Sequence, residues 1–294
     1  MRAQVRMLAD GRRLHLHDGP IDIVLETFGH EDQVHLAYQA AAERFESVLD
    51  ELCRELPLLR THARIGGQGP RGVIARRMFA AVLPYADQCF ITPMAAVAGA
   101  VAEEILSAMT TSTELSRAYV NDGGDIALHM AAGERFVVGM VEHSDRPSLF
   151  GTMTLDSDSP VRGIATSGWR GRSFSLGIAD AVTVLAKTAA MADAAATIVA
   201  NAVDLPGHPL IKRVPAHELS PDSDLGERFV TTAVGELTAK EVDEALGRGT
   251  TCAESLIASG LIDAVALNLQ GTSCVIPAPA NMVAKSAERR LVHA

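Results

Sequence analysis

Hydrophobic and polar positions change period several times along the chain, and each change marks an element. Three short alternating runs, Gln4 to Leu8, Arg13 to His17 and Ile21 to Glu26, are parted by turns at Asp10-Gly11 and Asp18-Gly19-Pro20. Alternation with period two places one face of each run on a core, so a strand meander is predicted. From Glu31 to Leu56 the apolar residues Ala41, Phe45, Val48, Leu49, Leu52 and Leu56 recur at three- and four-residue steps among charged neighbours. That spacing predicts one amphipathic helix, ended by Pro57. The loop Gly66 to Pro70 precedes a second predicted helix from Arg71 to about Leu83, and a third covers Ala95 to Met109.

Downstream the period returns to two. Arg117 to Met130 reads as two strands about a Gly-Gly turn, followed by strands at Phe136 to Val141, Gly151 to Leu155, Val161 to Ala165 and Ala181 to Leu185. Thr188 to Val203 is almost wholly small and apolar, the pattern of a buried helix. Leu205 to Ser223 carries four prolines among polar residues and is the longest expected loop. A strand near Phe229 to Val234, a helix from Thr238 to Ile257 and strands at Ala264 to Leu269 and Cys274 to Pro277 complete the pattern. The charged last dozen residues are expected to fray. No repeat or low-complexity linker interrupts 1–294, so one compact α/β domain is expected, with 224–280 packed on the remainder.

Composition narrows the class. At 294 residues and 48% hydrophobic, with one tryptophan, three tyrosines and eight phenylalanines, the core is aliphatic, which suits helices packed on a sheet. A net charge of −10 without a long basic run argues against nucleic acid and anionic membrane surfaces as partners. The four scattered cysteines form no C-x-x-C pair and read as reduced thiols, Cys89 and Cys274 in apolar surroundings, which favours a cytoplasmic protein. The N-terminal stretch has no apolar signal core, and no run of eighteen apolar residues is found.

Three clusters carry candidate chemistry. The turn Asn121-Asp122-Gly123-Gly124-Asp125 between two apolar runs allows positive φ and close approach of backbone amides to a ligand; it also fits an ordinary hairpin. The stretch Thr166-Ser167-Gly168-Trp169-Arg170-Gly171-Arg172-Ser173 gathers hydroxyls and two arginines, donors suited to phosphate oxygens or to a solvated loop. Asp193 and Thr197 lie one helical turn apart on an otherwise apolar helix, where a buried carboxylate needs a cation, a cap or a partner. Mg²⁺ is a chemically sensible companion. His15 and His17 share a strand face, a ligand pair or simply its wet side. Gly66 to Gly72 lacks the P-loop lysine, and no G-x-S-x-G elbow is present.

Taken together, Pro93-Met94-Ala95-Ala96-Val97-Ala98-Gly99, Asn121 to Ile126, and Ala179 to Lys187 running into Ala192-Asp193-Ala194-Ala195-Ala196-Thr197 resemble the ApbE-like superfamily. The closer likeness is to a UPF branch carrying P-M-A-A-V-A-G, N-G-G-D-I and A-D-A-V-T-V-L-A-K with A-D-A-A-A-T. This resemblance spans about residues 90 to 203 and implies a two-layer, T-fold-like α/β architecture with a mainly antiparallel sheet and packed helices. It implies Mg²⁺ on Asp193 and Thr197, with the Ala95 carbonyl as a further ligand. It also implies a flavin nucleotide, FAD or FMN, facing Asn121, Gly123, Gly124 and Asp125, with Thr166, Ser167, Gly168 and Ser173 alongside. Arg170, Arg172 and Asp193 are the expected catalytic groups, and relatives of this fold make a homo-oligomer plausible.

Two departures bear on the reaction. Flavin transferases of the superfamily carry a histidine and an Ile-Asp-Pro segment after T-S-G, where this chain reads Arg172-Ser173-Phe174-Ser175-Leu176-Gly177. The UPF branch has cysteine before its T-S and histidine before its S-x-S; here Ala165 and Arg172 stand at those places. The expected function is a Mg²⁺-dependent enzyme acting on a flavin nucleotide or similar anionic small molecule, by FMN transfer or FAD pyrophosphate cleavage. The alternatives are a metal-assisted hydrolase or rearranging enzyme of a non-flavin metabolite, and a non-catalytic flavin- or nucleotide-binding protein.

Overall fold

The opening alternation folds as an antiparallel meander of β1 (Gln4–Met7), β2 (Leu14–Asp18) and β3 (Ile21–Gly29). Leu14 and Leu16 turn inward while His15 and His17 keep partial exposure, as period two requires. The computed structural model describes residues 3–67, 69–111, 113–141, 149–277 and 282–284.

The single helix expected over 31–56 is two helices, α1 (Glu31–Phe45) and α2 (Val48–Leu59). Arg44 reaches Ser47 and Glu51 at 2.8 and 2.9 Å, and the Ser47 hydroxyl donates to Glu51 at 2.7 Å, so the break at Glu46-Ser47 is pinned by side chains. The buried stripe Ala37, Ala41, Phe45, Val48, Leu52 continues in phase across it, which is why the periodicity conceals the break. Pro57 does not end α2 but lies inside it. A missing amide in the last turn costs one hydrogen bond, and the Arg60 amide still closes on Leu56.

α3 (Val73–Val82) follows, then a short 3₁₀ turn over Pro93–Ala96 that runs into α4 (Val97–Thr111). The strands β4 (Leu115–Asp122), β5 (Asp125–Met130), β6 (Arg135–Val141), β7 (Leu149–Asp156), β8 (Gly163–Ser167) and β9 (Ala181–Ala186) lead to α5 (Ala189–Ala202). Residues 205–223 are not one loop: β10 (Ile211–Pro215) and α6 (Ala216–Leu219) lie within them, and β10 pairs with β11 (Phe229–Val234). A two-stranded ribbon tolerates Pro215 because one side of each strand has no ladder to break. α7 (Ala239–Ala258) starts on a capping box of Thr238 and Glu241. β12 (Ala264–Leu269), β13 (Thr272–Ile276) and β14 (Met282–Ala284) follow. The charged last dozen lies largely outside the described residues.

Nine strands form one antiparallel sheet in the order β1-β2-β3-β4-β5-β8-β9-β12-β13, so the last strands join the sheet begun by the first. α1, α4, α5 and α7 pack on one face. On the other, Leu128, Met130, Ile164, Leu185 and Ala264 meet Met153 and Leu155 of β7, which pairs with β6 and β14. Cys89 is exposed and Cys274 half-buried, so neither is the core thiol expected.

Pro93–Thr111, with mean hydropathy 1.2, is long and apolar enough by composition to cross a membrane. Here Gly99, Val101, Ala102, Ile105 and Met109 are buried against the sheet and neighbouring helices. α4 and α5 touch backbone to side: a Cβ on Gly99 would overlap the Ala189 carbonyl, and one on Gly163 would overlap the Thr188 carbonyl. Gly163→Ala should therefore lower unfolding free energy by about 1–3 kcal/mol. Gly247→Ala, on the exposed side of α7 with open space around it, should be neutral or stabilise by up to about 1 kcal/mol, both read by urea denaturation.

Candidate active site

The β4–β5 hairpin turns at Gly123 and Gly124, whose φ values of 67° and 117° belong to the turn that joins twisted strands in two residues. The Asn121 side-chain carbonyl accepts from the Gly124 amide at 2.8 Å and locks it. Ala118, Val120 and Ala127 face the helices, so by alternation Asp122 and Asp125, paired across the hairpin, face them too. Asp122 is buried, and its Oδ1 accepts from the Asp22 amide at 3.4 Å. Asp125 accepts from the Thr166 amide of β8 at 3.3 Å.

α5 supplies the third carboxylate. Asp193 Oδ2 accepts from the Gly99 amide at 3.0 Å, and the Ala98 amide points at the same carboxylate. Asp193 thus caps α4 from a neighbouring helix. In helix geometry the Gly99 amide would run to the Ala95 carbonyl and the Ala98 amide to that of Met94; here the Asp193 carboxylate receives them. The capping is reciprocal: Glu103 of α4 accepts from the Ala190 amide at the start of α5 at 2.7 Å. Thr197, one turn beyond Asp193, is half-buried.

Among the described residues, Arg172 is the cation that acts on this acidic group. A Cβ on Gly123 would overlap the Arg172 guanidinium, which lies across the hairpin turn and pulls down on both Asp122 and Asp125. It does not balance three carboxylates. Burial pushes Asp122 up to about 7 from an ordinary 3.8. Asp125 is held well above its ordinary value by burial first and then by Asp193 and Asp122. Asp193 is raised by burial and by Asp122, against the pull of the Gly99 and Ala98 amides. Asp125 and Asp193 still keep a partial opening to solvent, as groups at the foot of a recess do.

The two arginines part company. Arg170 bonds Asp180 at 2.6 Å and stacks on Trp169 at 4.6 Å, while Asp180 also accepts from the Trp169 indole and the Gln270 amide. Arg170 is thereby tied to the loop's own support; Arg172 is the arginine at the aspartates. Thr166 shares a hydroxyl bond with Thr183 at 2.9 Å, Ser167 ends β8, and Gly168 has to be glycine because a Cβ would lie 2.5 Å from the Asp180 carbonyl. Ser173 is exposed. His15 bonds Asp22 at 2.7 Å, with His17 4.0 Å from the same carboxylate, on β2 and β3 next to the edge strand.

Sequence reasoning passed over Asp122, Glu103 and Thr92 as site residues. The symmetry of Asp-Gly-Gly-Asp was the available signal for Asp122, since strand alternation sends both flanking residues to one face. Glu103 and Thr92 carry no local signature, because their partners are distant in sequence.

A family model described as AbpE bacteria matches residues 5–275. The chain belongs to this family. Among similar proteins is the UPF0280 protein MK0206 of Methanopyrus kandleri, 38% identical over 128 residues that make up 44% of this chain and 48% of that one. The UPF0280 protein of Methanothermobacter thermautotrophicus is 42% identical over 120 residues, 40% of this chain and 44% of that protein. The chain spans about half the length of the curated relatives it matches. Among solved structures, the apo flavinyl transferase ApbE of Pseudomonas stutzeri aligns with a TM-score of 0.42 at 13% identity, covering 84% of this chain and 98% of that one. Flavin transferase ApbE of Vibrio cholerae aligns with a TM-score of 0.37 at 12% identity, covering 93% and 96%.

Burial of these carboxylates predicts a pH signature. Because burial raises Asp122 towards 7, the folded chain keeps a proton that the unfolded chain has lost above pH 4. That stability is full below the unfolded pKa and is lost as pH rises through about 7. In metal-free buffer, wild-type stability relative to Asp122→Asn should fall between pH 4 and 7, by at most about 1.4 kcal/mol per pH unit. Urea titrations at pH 5, 6 and 7 measure it; parallel pH profiles for the two proteins would contradict the assignment.

Proposed function

We propose that this protein is a Mg²⁺-dependent enzyme that cleaves or transfers at the pyrophosphate of a flavin nucleotide, with FAD as the leading candidate substrate. The observation that carries the reading is the convergence of Asp122, Asp125 and Asp193 on a recess where Arg172 is the facing cation. Membership in the AbpE family supports it.

The donor set fits a hard cation. Among the described residues no three His, Cys, Asp or Glu side chains gather closely enough to hold a metal unaided. Mg²⁺ suits such a site, since it is commonly held by one or two carboxylates with water and phosphate oxygens completing the shell. Asp193 would supply a carboxylate, Thr197 a hydroxyl and Ala95 a backbone carbonyl. Bound there, Mg²⁺ would neutralise charge on the phosphoryl oxygens.

Arg172 would stabilise charge gathering on the pyrophosphate, and the turn at Asn121 to Gly124 would orient the substrate by its backbone. An acceptor hydroxyl attacks the phosphorus on the FMN side, the bond to the AMP oxygen breaks, and AMP leaves. The attacking hydroxyl's proton passes to one of the buried carboxylates, whose raised pKa suits a base working near neutrality. With water as acceptor the products are FMN and AMP. Arg170, committed to Asp180, holds the loop.

A second reading, metal-assisted cleavage of a non-flavin metabolite, is favoured by Arg172 standing where superfamily transferases carry histidine. Incubation of the protein with FAD, Mg²⁺ and candidate acceptors distinguishes the two. AMP together with FMN or an FMN-ester is the expected product set, abolished by EDTA. Arg172→Ala should cost about 10²–10³ in kcat, as loss of a transition-state donor does. Arg170→Ala should leave kcat within a few fold and lower thermal stability. No AMP from FAD, with turnover of another phosphorylated compound, would favour the second reading; FAD retained without turnover would mark a binding protein.

A further inference from the structure

Resting on the metal reading above, we propose that Asp224 and Thr92 form a positioning pair that fixes the Ala95 carbonyl for a divalent cation. Thr92 is buried, 2% exposed, and precedes the 3₁₀ turn of Pro93–Ala96. Pro93 brings no amide, so Met94 and Ala95 supply the turn's first free donors. Both go to Thr92: the Met94 amide to its hydroxyl oxygen at 3.2 Å and the Ala95 amide to its carbonyl at 3.1 Å.

A threonine hydroxyl has a single proton, and here it is donated to Asp224 Oδ2 from a segment 132 residues away. That donation fixes the hydroxyl rotor and leaves a lone pair aimed at Met94, so the turn's capping geometry is set by the carboxylate. The Asp224 segment is itself pinned to the same stretch by Arg228, whose guanidinium stacks 3.1 Å from the Phe90 ring centroid. On the far side, Asp193 holds the Ala98 and Gly99 amides. Ala95 thus lies between two anchors, and among the described residues the carboxylate of Asp224 reaches the turn through Thr92.

Metal-free full-length protein titrated with Mn²⁺, with the free-ion EPR signal as readout, tests the pairing. Thr92→Val and Asp224→Ala should each weaken Mn²⁺ binding about tenfold or more, the usual cost of losing a residue that orients a ligand. Thr92→Ser, which keeps the hydroxyl, should bind within about threefold of wild type by the same measure. Urea midpoints establish that each variant is folded, and Asp224→Ala decides should Thr92→Val fail to fold. Wild-type affinity in a folded Asp224→Ala or Thr92→Val, or a Thr92→Ser as weak as Thr92→Val, overturns the positioning role while leaving the metal site standing. Absence of Mn²⁺ binding by wild type overturns the metal reading and this pair with it.

Discussion

Everything at the site depends on how closely α4 approaches α5. Gly99 lies against the Ala189 carbonyl with no room for a side chain, and at that distance each helix can cap the other. Asp193 receives the first amides of α4, and Glu103 receives an amide from the first turn of α5. At both helix starts a carboxylate from across the contact takes up a free amide, and at α5 the preceding Thr188 hydroxyl takes the Met191 amide as well. The sheet takes part because Gly163 brings β8 equally close to the start of α5. A larger residue at Gly99 would separate the helices and unmake both caps at once, and one at Gly163 would push β8 away from the start of α5.

The electrostatics follow from this packing. Helix starts favour negative charge, so placing Asp193 there is locally stabilising. The hairpin then adds Asp122 and Asp125 to the same recess, where Arg172 is the positive side chain facing them. The result is an excess of buried negative charge that the protein's own groups leave incompletely balanced. Such an arrangement is costly for folding and useful for binding an electrophilic ligand, which is the common trade between stability and function at a site.

Much of this was legible in the residue pattern. The hairpin about Gly123-Gly124, the apolar helix bearing Asp193 and Thr197, and the strand at Ala181 to Leu185 are local signals, and each lies where periodicity put it. The errors are equally local in cause. A helix stripe stays in phase through Glu46-Ser47, so periodicity predicts one helix where there are two. Proline suggests a terminator at Pro57, where the last turn tolerates it, and loop composition over 205–223, where a ribbon forms. Arg170 and Arg172 look alike in sequence; Asp180, ten residues from Arg170 and buried beneath the loop, separates their placements. Contacts such as Thr92 to Asp224 join distant segments and leave no trace in spacing.

The capping of α4 by Asp193, set beside the metal role proposed for it, bears on how an aspartate at this place should be read in other members of the family. Because this carboxylate closes the start of α4, selection for a stable helix would retain it after any catalytic role had lapsed. An intact aspartate is then weak evidence of an active enzyme. Thr197, whose hydroxyl has no such structural partner among the described residues, would drift once the proposed chemistry ceased to constrain it, and would be the better marker of a working site.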